Sequence, residues 1–69
     1  MSAKPEIFSV GVTRYVSVAS GDALSLRSYL MSQGVPCSPP EPYRTGLDSI
    51  LLGRSVDLGE LLSILRGWD

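Results

Sequence analysis

Four of the chain's five prolines, Pro36, Pro39, Pro40 and Pro42, crowd into one stretch, "VPCSPPEPYRTG" at residues 35–46. Proline lacks a backbone N–H and its ring clashes with a preceding helical turn, so no helix crosses this stretch and no central strand holds it. The stretch reads as the connection between two ordered halves, and "EPYRT" within it can lie extended as a short edge strand.

The half before it ends in the best-marked helix of the chain, "SGDALSLRSYLMSQGVP". Ser20 or Asp22 is placed to accept the free N–H groups of a first turn. Ala23, Leu26, Leu30 and Gln33 then share one face, with Tyr29 beside it and Leu24 and Met31 flanking. Gly34 suits the left-handed position past the last turn, Val35 can fold back, and Pro36 forbids continuation. The spacing predicts a helix over 22–33.

Upstream, Phe8, Val10, Val12, Arg14, Val16 and Val18 alternate with Ile7, Ser9, Gly11, Thr13, Tyr15, Ser17 and Ala19. Period 2 marks a strand with one buried face. The unbroken phase predicts one long or bent strand over 7–19 with a bend at Gly11, the alternative being a hairpin turning near Thr13 and Arg14. Arg14 falls in line with the valines; either it finds a carboxylate partner, Asp48, or the strand bends and it reaches solvent.

In the second half, Thr45-Gly46 supplies a turn, and "LDSILLG" predicts a strand over 47–52 too apolar for an exposed edge. Gly53 closes it. Asp57 with Glu60 three residues on has the form of a capping box, and Leu58, Leu61, Leu62, Leu65 and Trp68 follow at helical spacing, predicting a helix over 57–67 with Leu62 in the core. The expected architecture is a small α+β two-layer sandwich, β-α-β(-β)-α, a truncated ferredoxin-like layout with two helices on one face of a small sheet. The first crossover is expected to be right-handed, with its two strands parallel if they are neighbours. All 69 residues form one domain, with residues 1–6 expected to be flexible.

Composition narrows function mainly by exclusion. With 43% hydrophobic and 19% charged residues the chain can build a core. Its net charge is −1, and its six basic residues are scattered among seven acidic ones, which offers no basic stripe for nucleic acid. No run approaches the ~20 apolar residues of a membrane span. One cysteine cannot form an internal disulfide, which points to a reducing compartment, the cytoplasm.

The chain has no histidine, which removes the commonest general base and zinc ligand. Asp22, Asp48, Asp57 and Glu60 read as caps and turn residues, and no glycine spacing forms a phosphate loop. Cys37 has no neighbouring lysine or histidine to activate it. The expectation is a non-enzymatic chain without metal or cofactor.

The proline stretch has two readings. Pro39-Pro40-Glu41-Pro42-Tyr43-Arg44 has the spacing of a proline-rich ligand with a following arginine, and a pre-extended segment loses little entropy on binding. Alternatively, its prolines stiffen a crossing loop and blunt a sheet edge. In either case Pro39, Pro42, Tyr43 and Arg44 are the candidate interaction residues, with Tyr43 and Arg44 the anchors, since tyrosine and arginine carry interfaces.

The segment "YVSVASGDALSLRSYLMSQGVPC", the strand "DSILLG" and the helix "VDLGELLSILRGW" resemble the small prokaryotic signal-transducing proteins whose fold is half of a nitrogen-regulatory, ferredoxin-like unit. Gly34-Val35-Pro36 matches that family's helix-ending turn, and Asp57 with Leu61 and Leu62 its last helix, over residues 15–68. The resemblance implies a binding or regulatory module and brings no catalytic residues. A protein partner is expected, and a homodimer as well, because a small sheet leaves edges uncovered. The rival reading is an accessory or self-assembling subunit of a larger complex or enzyme.

Overall fold

The structure, a computed structural model, describes residues 4–53 and 56–68. Strands β1 (Glu6–Val10) and β2 (Thr13–Ala19) lead through a 3-10 turn (Ser20–Asp22) into helix α1 (Ala23–Ser32). Strands β3 (Glu41–Arg44) and β4 (Leu47–Leu51) then precede helix α2 (Leu58–Arg66). The four strands form one antiparallel sheet in the order β1-β2-β4-β3. This is an α+β fold with α1 packed on the sheet. The first three residues of the segment expected to be flexible lie outside the described residues, and β1 already begins at Glu6.

Residues 7–19 form the hairpin and not the single long strand. The turn falls on Gly11-Val12, two residues earlier than the Thr13-Arg14 alternative, and Val10 pairs with Thr13 across it. Gly11 has φ +62°, while no non-glycine residue described has positive φ. That is the pattern of a two-residue hairpin turn whose first central position requires glycine.

The turn also changes which side chains are inside. Across the hairpin Ile7 stands beside Val16 and Phe8 beside Tyr15. Ile7, Arg14, Val16 and Val18 therefore share one face, while Phe8, Val10 and Tyr15 share the other. Val16 pairs with Ile50, so β4 adds Ile50 and Leu52 to the first face. That face holds the core, where Val16, Val18, Ala23, Leu26, Leu30, Val35, Ile50, Val56 and Leu61 are buried, with Ile7, Tyr29, Ile64, Leu65 and Trp68 packed around them.

β2 and β4 are neighbours, but antiparallel and not parallel. The reason is β3: the chain leaving α1 runs first along the far edge, turns at Thr45-Gly46 and returns as β4 in the centre of the sheet.

The end of α1 is built as expected. Val35 donates to the Leu30 carbonyl at 3.0 Å and Gly34 to Met31 at 3.1 Å, with Gly34 at φ +84°. These are the two bonds of a Schellman motif, and buried Val35 closes it over the helix. Its start differs. Asp22 makes no side-chain cap bond, because the 3-10 turn takes up the first turn instead, and the Ser20 hydroxyl donates to Asp48 Oδ1 at 2.9 Å.

In α2, Asp57 accepts from the Glu60 N–H at 3.2 Å and caps the helix. Leu61 is fully buried, but Leu58 and Leu62, both expected in the packed stripe, are each 47% exposed and do not belong to the core. At about 100° per residue, the stripe that faces inward is Leu61, Ile64, Leu65 and Trp68, and Leu62 lies roughly a quarter-turn or more away from its centre. The Tyr29 hydroxyl donates to the Ile64 carbonyl at 2.7 Å and ties the two helices together.

Candidate functional site

Among the described residues, helices roof only one face of the sheet. On the other, the register sets Glu6, Ser17, Ser49 and Glu41 in a single row across all four strands. The two central members of that row are serines, and their small side chains leave a shallow bed along the middle of the sheet. Phe8 occupies it from β1.

Phe8 stacks on Tyr15 with ring centroids 5.1 Å apart and planes 8° from parallel. It also stacks on Tyr43 of β3, at 4.9 Å and 15°. The Arg44 guanidinium carbon lies 5.0 Å from the centroid of the Tyr43 ring. Both faces of Phe8 are thus taken by rings, and Tyr15, Phe8, Tyr43 and Arg44 form a column in which a cation terminates three rings. Ser17, on the same face, is only 6% exposed, and its hydroxyl donates to the Glu6 carbonyl at 3.5 Å.

A register irregularity lets Tyr43 join. Pro42 pairs with Asp48 and Arg44 with Leu47, which leaves Tyr43 as the extra residue of a bulge. Such a bulge re-aims a side chain, and here it puts neighbours Tyr43 and Arg44 on the same side. The column's outer end remains wet, with Tyr43 40% exposed and Arg44 exposed. Pro39 and Pro42 are exposed along the same edge. Residues 41–44 are a strand of the sheet, not a detached proline-rich ligand.

The start of the proline stretch is stitched to β4. Ser38 donates to Leu51 at 2.9 Å and Gly53 to Pro36 at 2.7 Å. Cys37 bridges to Leu52 and is buried, its thiol directed at the Val35 carbonyl at 3.3 Å, while Arg27 Nε donates to the Cys37 carbonyl at 3.3 Å. Burial pushes the Cys37 thiol above its ordinary pKa, and the nearby Arg27 charge offsets this only in part. Such a thiol is a packing group.

Arg14 takes neither of its expected courses. It stays on the helix-covered face, half-buried, and donates from Nη1 to the Val56 carbonyl at 2.6 Å, ahead of α2. Asp48 is instead the acceptor of Ser20. No group of three or more metal-ligating side chains occurs among the described residues, and none of their helices is long and apolar enough to cross a membrane. Tyr43 and Arg44 were legible as candidates, but their ring partners Phe8 and Tyr15 were not. The signal that could have found them is the aromatic at position 8 facing one at position 15 once Gly11 is placed in the turn. No family model, curated protein or solved structure matches this chain.

Proposed function

We propose that this chain is a small non-enzymatic binding module that recognises a protein through the open face of its sheet, with Tyr43 and Arg44 as anchors. The observation that carries this reading is the Tyr15–Phe8–Tyr43–Arg44 column. It presents flat aromatic surface and a forked donor, already ordered by stacking, so little side-chain entropy is lost when a partner seats on it. Glu6 and Glu41 at the two margins of that face disfavour a nucleic-acid backbone and suit a protein surface carrying basic groups around an apolar centre.

A regulatory role of the kind found in small prokaryotic signal-transducing proteins is part of this proposal, supported by the Gly34-Val35-Pro36 helix end and the Asp57 cap. So is a cytoplasmic site of action, which a lone, buried cysteine suits. The test is affinity capture with mass spectrometry, comparing wild type with a Tyr43→Ala, Arg44→Ala double variant in parallel with thermal melting. Loss of specific partners with an unchanged melting temperature supports the reading. Partners retained while stability falls would mean that the column serves only to cover the sheet.

A further inference from the structure

The two edges of the sheet are finished differently. On β3, Pro42 has no N–H to offer, Pro39 and Pro40 precede it, and a bulge breaks the register. These are devices that stop an edge from recruiting another strand. β1 carries fewer of them: Pro5 stands just before it and has no N–H to offer, but Glu6–Val10 itself contains no proline and no bulge, and pairs with β2 in unbroken register.

The direction of β1's unpaired groups follows from a bond on the opposite side of β2. The Arg14 carbonyl accepts from the Leu52 N–H at 3.1 Å, so it points toward β4 and away from β1. Ser9, which faces Arg14, therefore stands in a non-hydrogen-bonded pair, and by alternation so does Ile7 opposite Val16. The N–H and C=O groups of Ile7 and Ser9 are thus aimed outward along the free edge. Beside them Val10 is 63% exposed and Val12 wholly exposed.

We propose that β1 joins two copies of this chain, antiparallel about a two-fold axis at Phe8, making one eight-stranded sheet. Outward groups two residues apart are self-complementary in this arrangement: Ile7 exchanges hydrogen bonds with the partner's Ser9, and Ser9 with the partner's Ile7. The same register sets Glu6 against the partner's Val10 and Lys4 against the partner's Val12. It therefore covers both exposed valines, and no like charges face each other. The two open faces become one surface with a Tyr43–Arg44 corner at each end. The inference concerns the edge and holds whether or not the open face binds a protein.

Sedimentation of the full chain tests it. Wild type is expected to shift from monomer to dimer with rising concentration, and a monomer at hundreds of micromolar overturns the proposal. Ser9→Pro removes an outward N–H while sparing the β1–β2 ladder, and should abolish the dimer; a dimer that persists in a folded Ser9→Pro variant also overturns it. Should that variant fail to fold, the exposed Val10 gives a second route. Val10→Glu sets a carboxylate against the partner's Glu6, and Val10→Lys sets an ammonium there. The lysine variant should dimerise roughly ten-fold more tightly than the glutamate variant at low salt. Equal dimerisation constants for the two would refute this register.

Discussion

The two faces of the sheet solve the same covering problem with different materials. On one, aliphatic side chains of β2 and β4 meet those of two helices, and Val16, Ile50, Leu26, Leu30 and Leu61 are sealed completely. On the other, which carries no helix among the described residues, three stacked rings and an arginine share the face of the small serines, with Phe8 and Tyr15 half-buried and Tyr43 and Arg44 exposed. A chain this short buries about 60% of the surface its unfolded form exposes, which is too little for a layer on both faces. Long aromatic side chains are a substitute for the missing layer. They shelter the sheet while leaving polar tips in water, and this incompleteness is what makes the face usable for recognition.

If the sealed face is the seat of stability, truncating its side chains should cost the most. Leu26→Ala and Leu61→Ala each remove a fully buried side chain between helix and sheet, and each is expected to cost about 2–5 kcal/mol. Urea denaturation measures this directly. Losses under about 1 kcal/mol at both positions would mean that the helices do not hold the sheet.

On the open face, Phe8→Ala removes the ring that both tyrosines stack against. Phe8 is half-buried, so its transfer contribution is roughly half that of a core phenylalanine, with stacking added, giving an expected loss of about 1.5–3 kcal/mol. The near-ultraviolet circular dichroism of the tyrosines should weaken at the same time. A stable Phe8→Ala protein with an unaltered tyrosine signal would remove the column from consideration as a unit.

How much of this was legible in the sequence is decided by one turn. The helix ends at Gly34 and the Asp57 cap could be read because each is a local device written in adjacent residues. The hairpin came only as an alternative, placed two residues late, because a two-residue turn preserves the alternation along the chain while exchanging the faces. Phe8 and Val10 count in phase with Val16 and Val18 along the chain, yet they stand beside Tyr15 and Thr13 across the ladder. That exchange moves Phe8 out of the expected core and creates the open-face column. The antiparallel return of β4 was hidden for a related reason, since Pro42 and the prolines just before "EPYRT" left that strand only as an option, although an edge tolerates proline.

A smaller effect separates neighbours within α2. Leu62→Ala removes a side chain that is already 47% exposed, and alanine is the better helix former, so the net loss should be about 1 kcal/mol or less. Set beside Leu61→Ala in the same denaturation series, it fixes which way the helix faces. Equal losses at 61 and 62 would rotate the stripe back toward the one that leucine spacing alone suggests.

The smallest expected effect lies at the end of the column, where stability and recognition should part company. Arg44 is exposed and makes its contact with the Tyr43 ring at 5.0 Å, a cation–π geometry that contributes about 0.5–1 kcal/mol in water. Arg44→Ala should therefore lower the melting temperature only slightly. Arg44→Lys should restore part of that loss, since an ammonium can also sit over the ring, but it lacks the planar fork that grips a carboxylate at two points. If the open face recognises a protein through Arg44, lysine rescues stability without rescuing binding. If lysine rescues both, the arginine acts as a charge and not as a fork. If neither property changes in Arg44→Ala, the column ends at Tyr43, and the working surface of this face is aromatic alone.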